Sequence, residues 1–207
     1  MKKDLILLAA IALAAAIALT VAAARGSLPL LRTFNPLATW SLPRRAVAVA
    51  IVLITAALSM MAIRRNDRDL KWPSPTLEWV YSSATASKIA GDYEHDGVRY
   101  RAVRGVVIDS VAFIPSYVLL IAFVSFWVAS GWTSNAAWAS WAAALGWSVA
   151  LAGALDYLEN AGIYAVLGGV TTSVAPLTYA ACQLKWLIAL TAADFAIIAA
   201  VARLAGR

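Results

Sequence analysis

The chain has 207 residues, of which 62% are hydrophobic, whereas soluble domains are usually about 45–50% apolar. The composition therefore predicts a protein whose solvent is the lipid bilayer. The net charge is +6, but the basic residues lie in short segments between apolar runs, which indicates orientation in a membrane with anionic lipids and excludes a nucleic-acid interface.

The first predicted transmembrane span covers residues 5–24, which follow Asp4 and carry no charge. The three alanines before Arg25 also resemble a signal-peptidase site, but the apolar run exceeds a signal-peptide core, so we favour an uncleaved helix. A connector with three prolines, residues 25–45, precedes the second predicted span, residues 46–63.

The segment from 64 to 108 is the one sizeable polar region, and it carries eight Lys or Arg residues. Ser74-Pro75 predicts a helix start, and a helix is expected to continue to about Ala90 and to end at Gly91. Asp96-Gly97 predicts a turn, after which a second helix runs from Val98 into the third span. The segment is therefore expected to hold one or two interfacial helices.

The last three spans are predicted over residues 109–130, 136–167 and 176–203. The sequence thus predicts an all-α integral membrane bundle of about five transmembrane helices, folded as a single domain over residues 1–207. Because the segment 64–108 has the most Lys and Arg, we expect it in the cytoplasm, with the C-terminus outside.

The charges of the last three spans are expected to meet at one level. Residues 110–155 carry no charge, and the next charges are Asp156, Glu159 and then Lys185. At 1.5 Å per residue, Asp109, Asp156 and Lys185 each lie about 27–33 Å from the outer ends of their helices, close to the thickness of the hydrocarbon core. The three groups are therefore expected at the cytoplasmic edge of the membrane, with Glu159 and Asn160 on the same helix face as Asp156.

Two interpretations of this level remain open from the sequence. In the first, these groups form a pocket in which Lys185 holds a phosphate or other anion, while Asp109, Asp156 and Glu159 bind a cationic or hydroxyl-bearing headgroup, hold a metal or move protons. The candidate ligand-binding residues are Asp109, Tyr117, Asp156, Glu159, Asn160 and Lys185. In the second, Lys185 and Arg104 pair with the acids and only lock the bundle.

Asp194 is expected about 14 Å inside the outer membrane face, where a charge is costly unless it is paired or neutral. Thr191 or Ser148 is expected to hydrogen-bond it; an outward shift of the last helix would instead place it at the interface. No metal site and no cofactor are predicted, because the chain has no His/Cys ligand spacing and no phosphate loop.

The residues of these spans resemble a pattern in bacterial polytopic membrane proteins that are themselves uncharacterised. In that pattern an acid precedes a Phe/Ile-Pro-x-Tyr segment, Asp-x-x-Glu-Asn follows on the next helix and a Lys lies on the last. The matching runs here are Asp109 with Ile114-Pro115-Ser116-Tyr117, Asp156-Tyr157-Leu158-Glu159-Asn160, and Lys185-Trp186. The resemblance covers about residues 75–190; it implies the bacterial cytoplasmic (inner) membrane but no activity.

Three functions follow from these expectations. The leading one is binding, or modification, of a lipid or amphiphile headgroup at the cytoplasmic leaflet; whether any reaction is catalysed stays open. The second is a small transporter that uses Asp194 and Lys185 as a relay. The third is a non-catalytic accessory subunit of a membrane complex, with a fully paired cluster, no cavity and a large apolar face that contacts a protein. The expected partners are membrane lipids, together with a protein partner or a second copy of the chain.

Overall fold

The computed structural model describes residues 39–131, 136–172 and 174–205, and every regular element within these ranges is helical. The predicted first span, residues 5–24, lies outside them. The elements in chain order are α1 (Leu42–Asp67), a 3₁₀ helix (Ser74–Trp79), α2 (Ser83–His95), α3 (Arg99–Ile108), a π-helical segment (Asp109–Phe113), α4 (Ile114–Ala129), α5 (Ala136–Leu167) and α6 (Val174–Leu204).

Four helical stretches are long and apolar enough to cross a membrane: Leu42–Asp67, Arg99–Ala129, Ala137–Leu167 and Val174–Ala202. They overlap the four predicted spans that the structure describes, and α5 has the helix bounds predicted for the fourth, 136–167. The helices α1 and α6 begin earlier than the predicted spans, because Pro43 and Pro176 lie in their first turns, where the missing N–H group of a proline is tolerated. The third stretch begins at Arg99, in agreement with the predicted helix from Val98 into the third span.

The prediction of one helix from Ser74 to Ala90 is wrong. The 3₁₀ helix ends at Trp79, Val80 is extended, and α2 then runs through Gly91 to His95. Gly91 can stay helical because the chain reverses at Gly97 instead, whose φ of +65° is left-handed. There the N–H groups of Gly97 and Val98 donate to the carbonyls of Glu94 and Tyr93, which closes α2 in a Schellman motif. The predicted turn at Asp96-Gly97 is thus confirmed.

The helix α5 lies at the centre of the bundle, with α6 as its most extensive neighbour and α4 as the next. Small side chains permit the close approach, since Ala152 of α5 and Ala192 of α6 are fully buried. Among the described glycines, Gly162 has the closest neighbour, because an added Cβ would lie 2.0 Å from Thr178 Oγ1. The separation of α5 and α6 is therefore fixed near that level.

The polar segment forms a packed cap on one end of α5. Leu77 of the 3₁₀ helix and Ile89 and Tyr93 of α2 belong to one buried cluster with Ile163 and Val166 of α5. The loop between α1 and the 3₁₀ helix is bonded to α2, because Asp92 accepts hydrogen bonds of 2.9 Å from both Lys71 and Trp72. This cap brings the 3₁₀ helix over the end of the bundle where the charges of the spans lie.

Candidate functional site

Lys185 of α6 is the centre of a buried ionic cluster. Its Nζ lies 2.8 Å from Asp156 Oδ1, 2.9 Å from Glu159 Oε2 and 3.7 Å from Glu78 Oε2. The side chains of Lys185, Asp156 and Glu159 are 7%, 3% and 0% exposed. One ammonium group is therefore shared among three carboxyl groups from two different elements.

The predicted face of α5 connects this cluster to the rest of the site. Asp156 receives a second hydrogen bond of 2.9 Å from the Tyr117 hydroxyl of α4. One turn along, Asn160 Nδ2 donates to Asp109 Oδ2 at 2.6 Å and to Ser110 Oγ at 2.9 Å. The six predicted ligand-binding residues thus fall into two adjacent groups, Asp109 with Asn160 and Lys185 with Asp156, Glu159 and Tyr117.

Asp109 owes its position to the π-helical segment. Pro115 has no N–H group, and the N–H of Ile114 donates one residue further back, to the carbonyl of Asp109. In a π-helix the carbonyl of Ser110 would accept a hydrogen bond from the N–H of residue 115, which a proline lacks. The Tyr157 hydroxyl donates to this carbonyl instead, at 2.8 Å. The widened turn is therefore held by α5, next to the contact of Asn160.

Glu159 has an unusual environment for a carboxylate. It is completely buried, and neither of its oxygens has a hydrogen-bond partner in the described part of the chain. Its Oε2 lies 2.9 Å from Lys185 Nζ, so the two groups form an ion pair. A buried carboxylate without hydrogen bonds is costly. Packing alone therefore does not explain why this position holds a glutamate.

Glu78 is the member of the site that the sequence interpretation missed. It lies in the polar segment, and the 3₁₀ helix places it against Lys185 with its side chain 18% exposed. The available signal was its apolar setting, between Leu77 and Trp79. An acid on the cap therefore completes a cluster that is otherwise built by the spans.

A cavity of about 380 Å³ extends from this cluster. Glu78, Asp109, Tyr117, Asp156, Asn160 and Lys185 contribute its polar part. Apolar side chains of α1, the π segment, α4 and α6 form its walls, among them Met60, Phe113, Ile121 and Leu190. Trp79 and Leu190, both in the lining, are more than half exposed, so the cavity opens at the surface of the bundle.

Two further charged residues do not join the site. Arg104, a predicted partner of the acids, is exposed and makes no ion pair with any acid of the described ranges, so that part of the salt-bridge interpretation is wrong. Asp194 is exposed and does not line the cavity. The hydroxyl groups of Thr191 and Ser148, its expected partners, donate to backbone carbonyls of their own helices.

One group of side chains has the composition of a metal site, which the spacing rules did not predict. Ligand atoms of Glu78, Glu159 and Cys182 lie within 4.8 Å of one another. However, the ammonium of Lys185 lies against both carboxylates and already supplies a positive charge there. These residues therefore fit a resident lysine better than a metal ion.

Glu78 predicts a pH dependence of stability. Burial raises the pKa of Glu78 from 4.5 to about 7, although Lys185 lowers it. Because the folded state keeps this proton to a higher pH, the stabilising contribution is full below about pH 4.5 and is lost as the pH rises through about 7. The melting temperature in neutral detergent should fall more steeply between pH 5 and 8 in the wild type than in Glu78→Gln. The control Glu94→Gln, at an exposed site, should keep the wild-type slope; equal slopes for all three proteins would contradict the assignment.

Comparison with known proteins assigns no family to this chain. No family model matches it, and neither a curated protein nor a solved structure matches it. The resemblance to uncharacterised bacterial membrane proteins therefore stays an expectation from the sequence, and the geometry of the site carries the functional conclusion.

Proposed function

We propose that this chain is a multi-pass protein of the bacterial cytoplasmic membrane that binds the headgroup of a lipid or other amphiphile. The observation that carries this proposal is the cavity of about 380 Å³, whose walls are apolar and whose polar part is the Lys185 cluster. Pockets of about 300–1,000 Å³ with a few convergent polar groups are typical of small-molecule sites. An amphiphile matches both parts, with its chain along the walls and its headgroup at the cluster.

The placement in a membrane is supported by the outer surface of the bundle. Large apolar side chains of α1 are exposed along its whole length: Val47, Ile51, Leu53, Ile54, Leu58 and Met61. A patch of this kind needs lipid or protein to cover it. With residues 5–24 as a further span, the protein crosses the membrane five times, and the eight basic residues of the segment 64–108 favour its cytoplasmic location.

The cluster then lies at the cytoplasmic edge of the membrane. The cap contributes Glu78, while the spans contribute Asp109, Asp156 and Lys185, so the polar end of the cavity is where both meet. A lipid of the inner leaflet has its headgroup at this depth. Binding is favoured over chemical modification, because Lys185 is held by carboxylates and Cys182 is fully buried outside the cavity lining.

The cavity also favours this function over the two alternatives. An accessory subunit was expected to have a paired cluster without a cavity. A transporter was expected to have polar groups along the whole depth, whereas the end of the cavity away from the cluster is lined by Ile121, Leu190 and Ala193. A protein partner retained in the native mass spectrum described next would instead favour the accessory subunit.

A native mass spectrum of the gently extracted protein tests the proposal. We expect a bound lipid or amphiphile on the wild type that is lost from Ala193→Phe, since Ala193 lines the cavity and phenylalanine would fill it. The control Ala161→Phe adds the same ring at an exposed position of α5 and should keep the ligand. A bound protein without lipid, or lipid bound equally to all three proteins, would contradict the proposal; the melting temperatures show whether each variant is folded.

A further inference from the structure

We infer that the headgroup bound at the Lys185 cluster is cationic, an alkylammonium or a related amine, rather than a phosphate. This inference rests on the proposed function, which requires only that some amphiphile occupies the cavity. The inference specifies the sign of the ligand's charge, which follows from how the charged side chains of the site are already paired.

Lys185 is the basic residue that a phosphate would need, but its ammonium is already surrounded. Asp156 and Glu159 contact it at 2.8 and 2.9 Å, and Glu78 lies at 3.7 Å. A phosphate at this point would have to displace a buried carboxylate and would add negative charge beside the others. No other Lys or Arg lines the cavity within the described ranges.

Asp109 is the acid of the cavity that lacks a cation. It lines the cavity and accepts a hydrogen bond from Asn160, but no Lys or Arg of the described ranges lies within 4.0 Å of its carboxylate. Glu159 is fully buried near Lys185, and neither of its oxygens has a hydrogen-bond partner in the described ranges. Three carboxyl groups therefore share the ammonium of Lys185 while Asp109 contacts no cation, so a second positive charge near Asp109 and Asp156 would stabilise the arrangement.

Aromatic rings around the polar part suit the same class of ligand. Phe113, Tyr117, Trp79 and Trp186 all line the cavity, and the rings of Phe113 and Tyr117 pack with their centroids 5.6 Å apart. Ring faces attract ammonium groups, including quaternary ones, and do not attract phosphates. The carboxylates and the rings thus select the same sign of charge.

Three amphiphiles with the same chain separate the charge of the ligand from the existence of the site. Native mass spectrometry of the protein in a neutral detergent is titrated with dodecylamine, dodecyl phosphate and monolaurin. We expect a saturable one-to-one adduct of dodecylamine at a concentration at least about tenfold lower than for the other two. Asp109→Asn, which strands no paired charge, should remove this preference for the amine, whereas Asp96→Asn at an exposed turn should keep it.

The outcomes of this titration are distinguishable. Equal or tighter binding of dodecyl phosphate or monolaurin in the cavity would overturn the inference while the proposed function stands. An unchanged preference in Asp109→Asn would also overturn it. No saturable adduct with any of the three amphiphiles, in a protein of normal melting temperature, would overturn the proposed function together with the inference.

Discussion

Replacing Lys185 with methionine is expected to lower the free energy of unfolding by about 3–5 kcal/mol, the usual cost of breaking a buried ion pair from one side. The variant leaves Asp156 and Glu159, which are at most 3% exposed, without their shared ammonium group. Methionine has a similar length, so the loss reflects charge rather than volume. Denaturant titration in mixed micelles, followed by circular dichroism, measures the effect.

Two further variants make this expectation specific. Lys88→Met removes a lysine at an exposed position and should change stability little. Adding Asp156→Asn and Glu159→Gln to Lys185→Met removes the stranded charges and should restore much of the loss. A Lys185→Met protein as stable as the wild type would show that the cluster is not buried as described.

The substitution Gly162→Ala is expected to destabilise the bundle by about 1–3 kcal/mol, the typical cost of overpacking. The new Cβ would lie 2.0 Å from Thr178 Oγ1 and 3.2 Å from Thr178 Cβ, so rotation of the threonine alone does not relieve the contact. Thr178 is buried, and its hydroxyl donates to the carbonyl of Val174 at 2.9 Å. The same denaturant titration measures the change.

Gly91→Ala serves as the matched control. Gly91 is helical and a Cβ there would meet nothing within 4 Å, so alanine should stabilise the protein by about 0.5–1 kcal/mol. Combining Gly162→Ala with Thr178→Ala should recover part of the loss, because the closest atom is removed. Equal stability of Gly162→Ala and the wild type would mean that α5 and α6 are further apart than the structure shows.

The level at which the charges meet could be predicted from the sequence because helix rise is a constant. Counting residues from the helix ends placed Asp109, Asp156 and Lys185 at one depth, and in the structure all three line one cavity. The i, i+3, i+4 spacing of Asp156, Glu159 and Asn160 likewise fixed their common face. The end of α5 could be predicted from the two glycines Gly168-Gly169, which interrupt the helix and of which Gly169 has a φ of +91°.

The parts that could not be predicted depend on rotation about helix axes and on irregular backbone. Pro115 lies within the predicted third span, but its presence does not predict a π turn at Asp109. The extended residue Val80 could not be told from a helical one, so the 3₁₀ helix and the position of Glu78 were missed. The cavity depends on both features and on the packing of four helices, none of which appears in a residue count.

The position at which a photoreactive amphiphile labels the protein tests the central claim, that the cavity beside Lys185 is the binding site, most directly. Single-chain amphiphiles with a diazirine on the chain, one with an ammonium and one with a glycerol headgroup, are crosslinked in nanodiscs and mapped by peptide mass spectrometry. At least one of them should label the cavity walls at Met60, Phe113 or Leu190, and Ala193→Phe should abolish this label. Labelling confined to the exposed face of α1, at residues such as Ile51 and Leu58, and unchanged in Ala193→Phe, would contradict the claim.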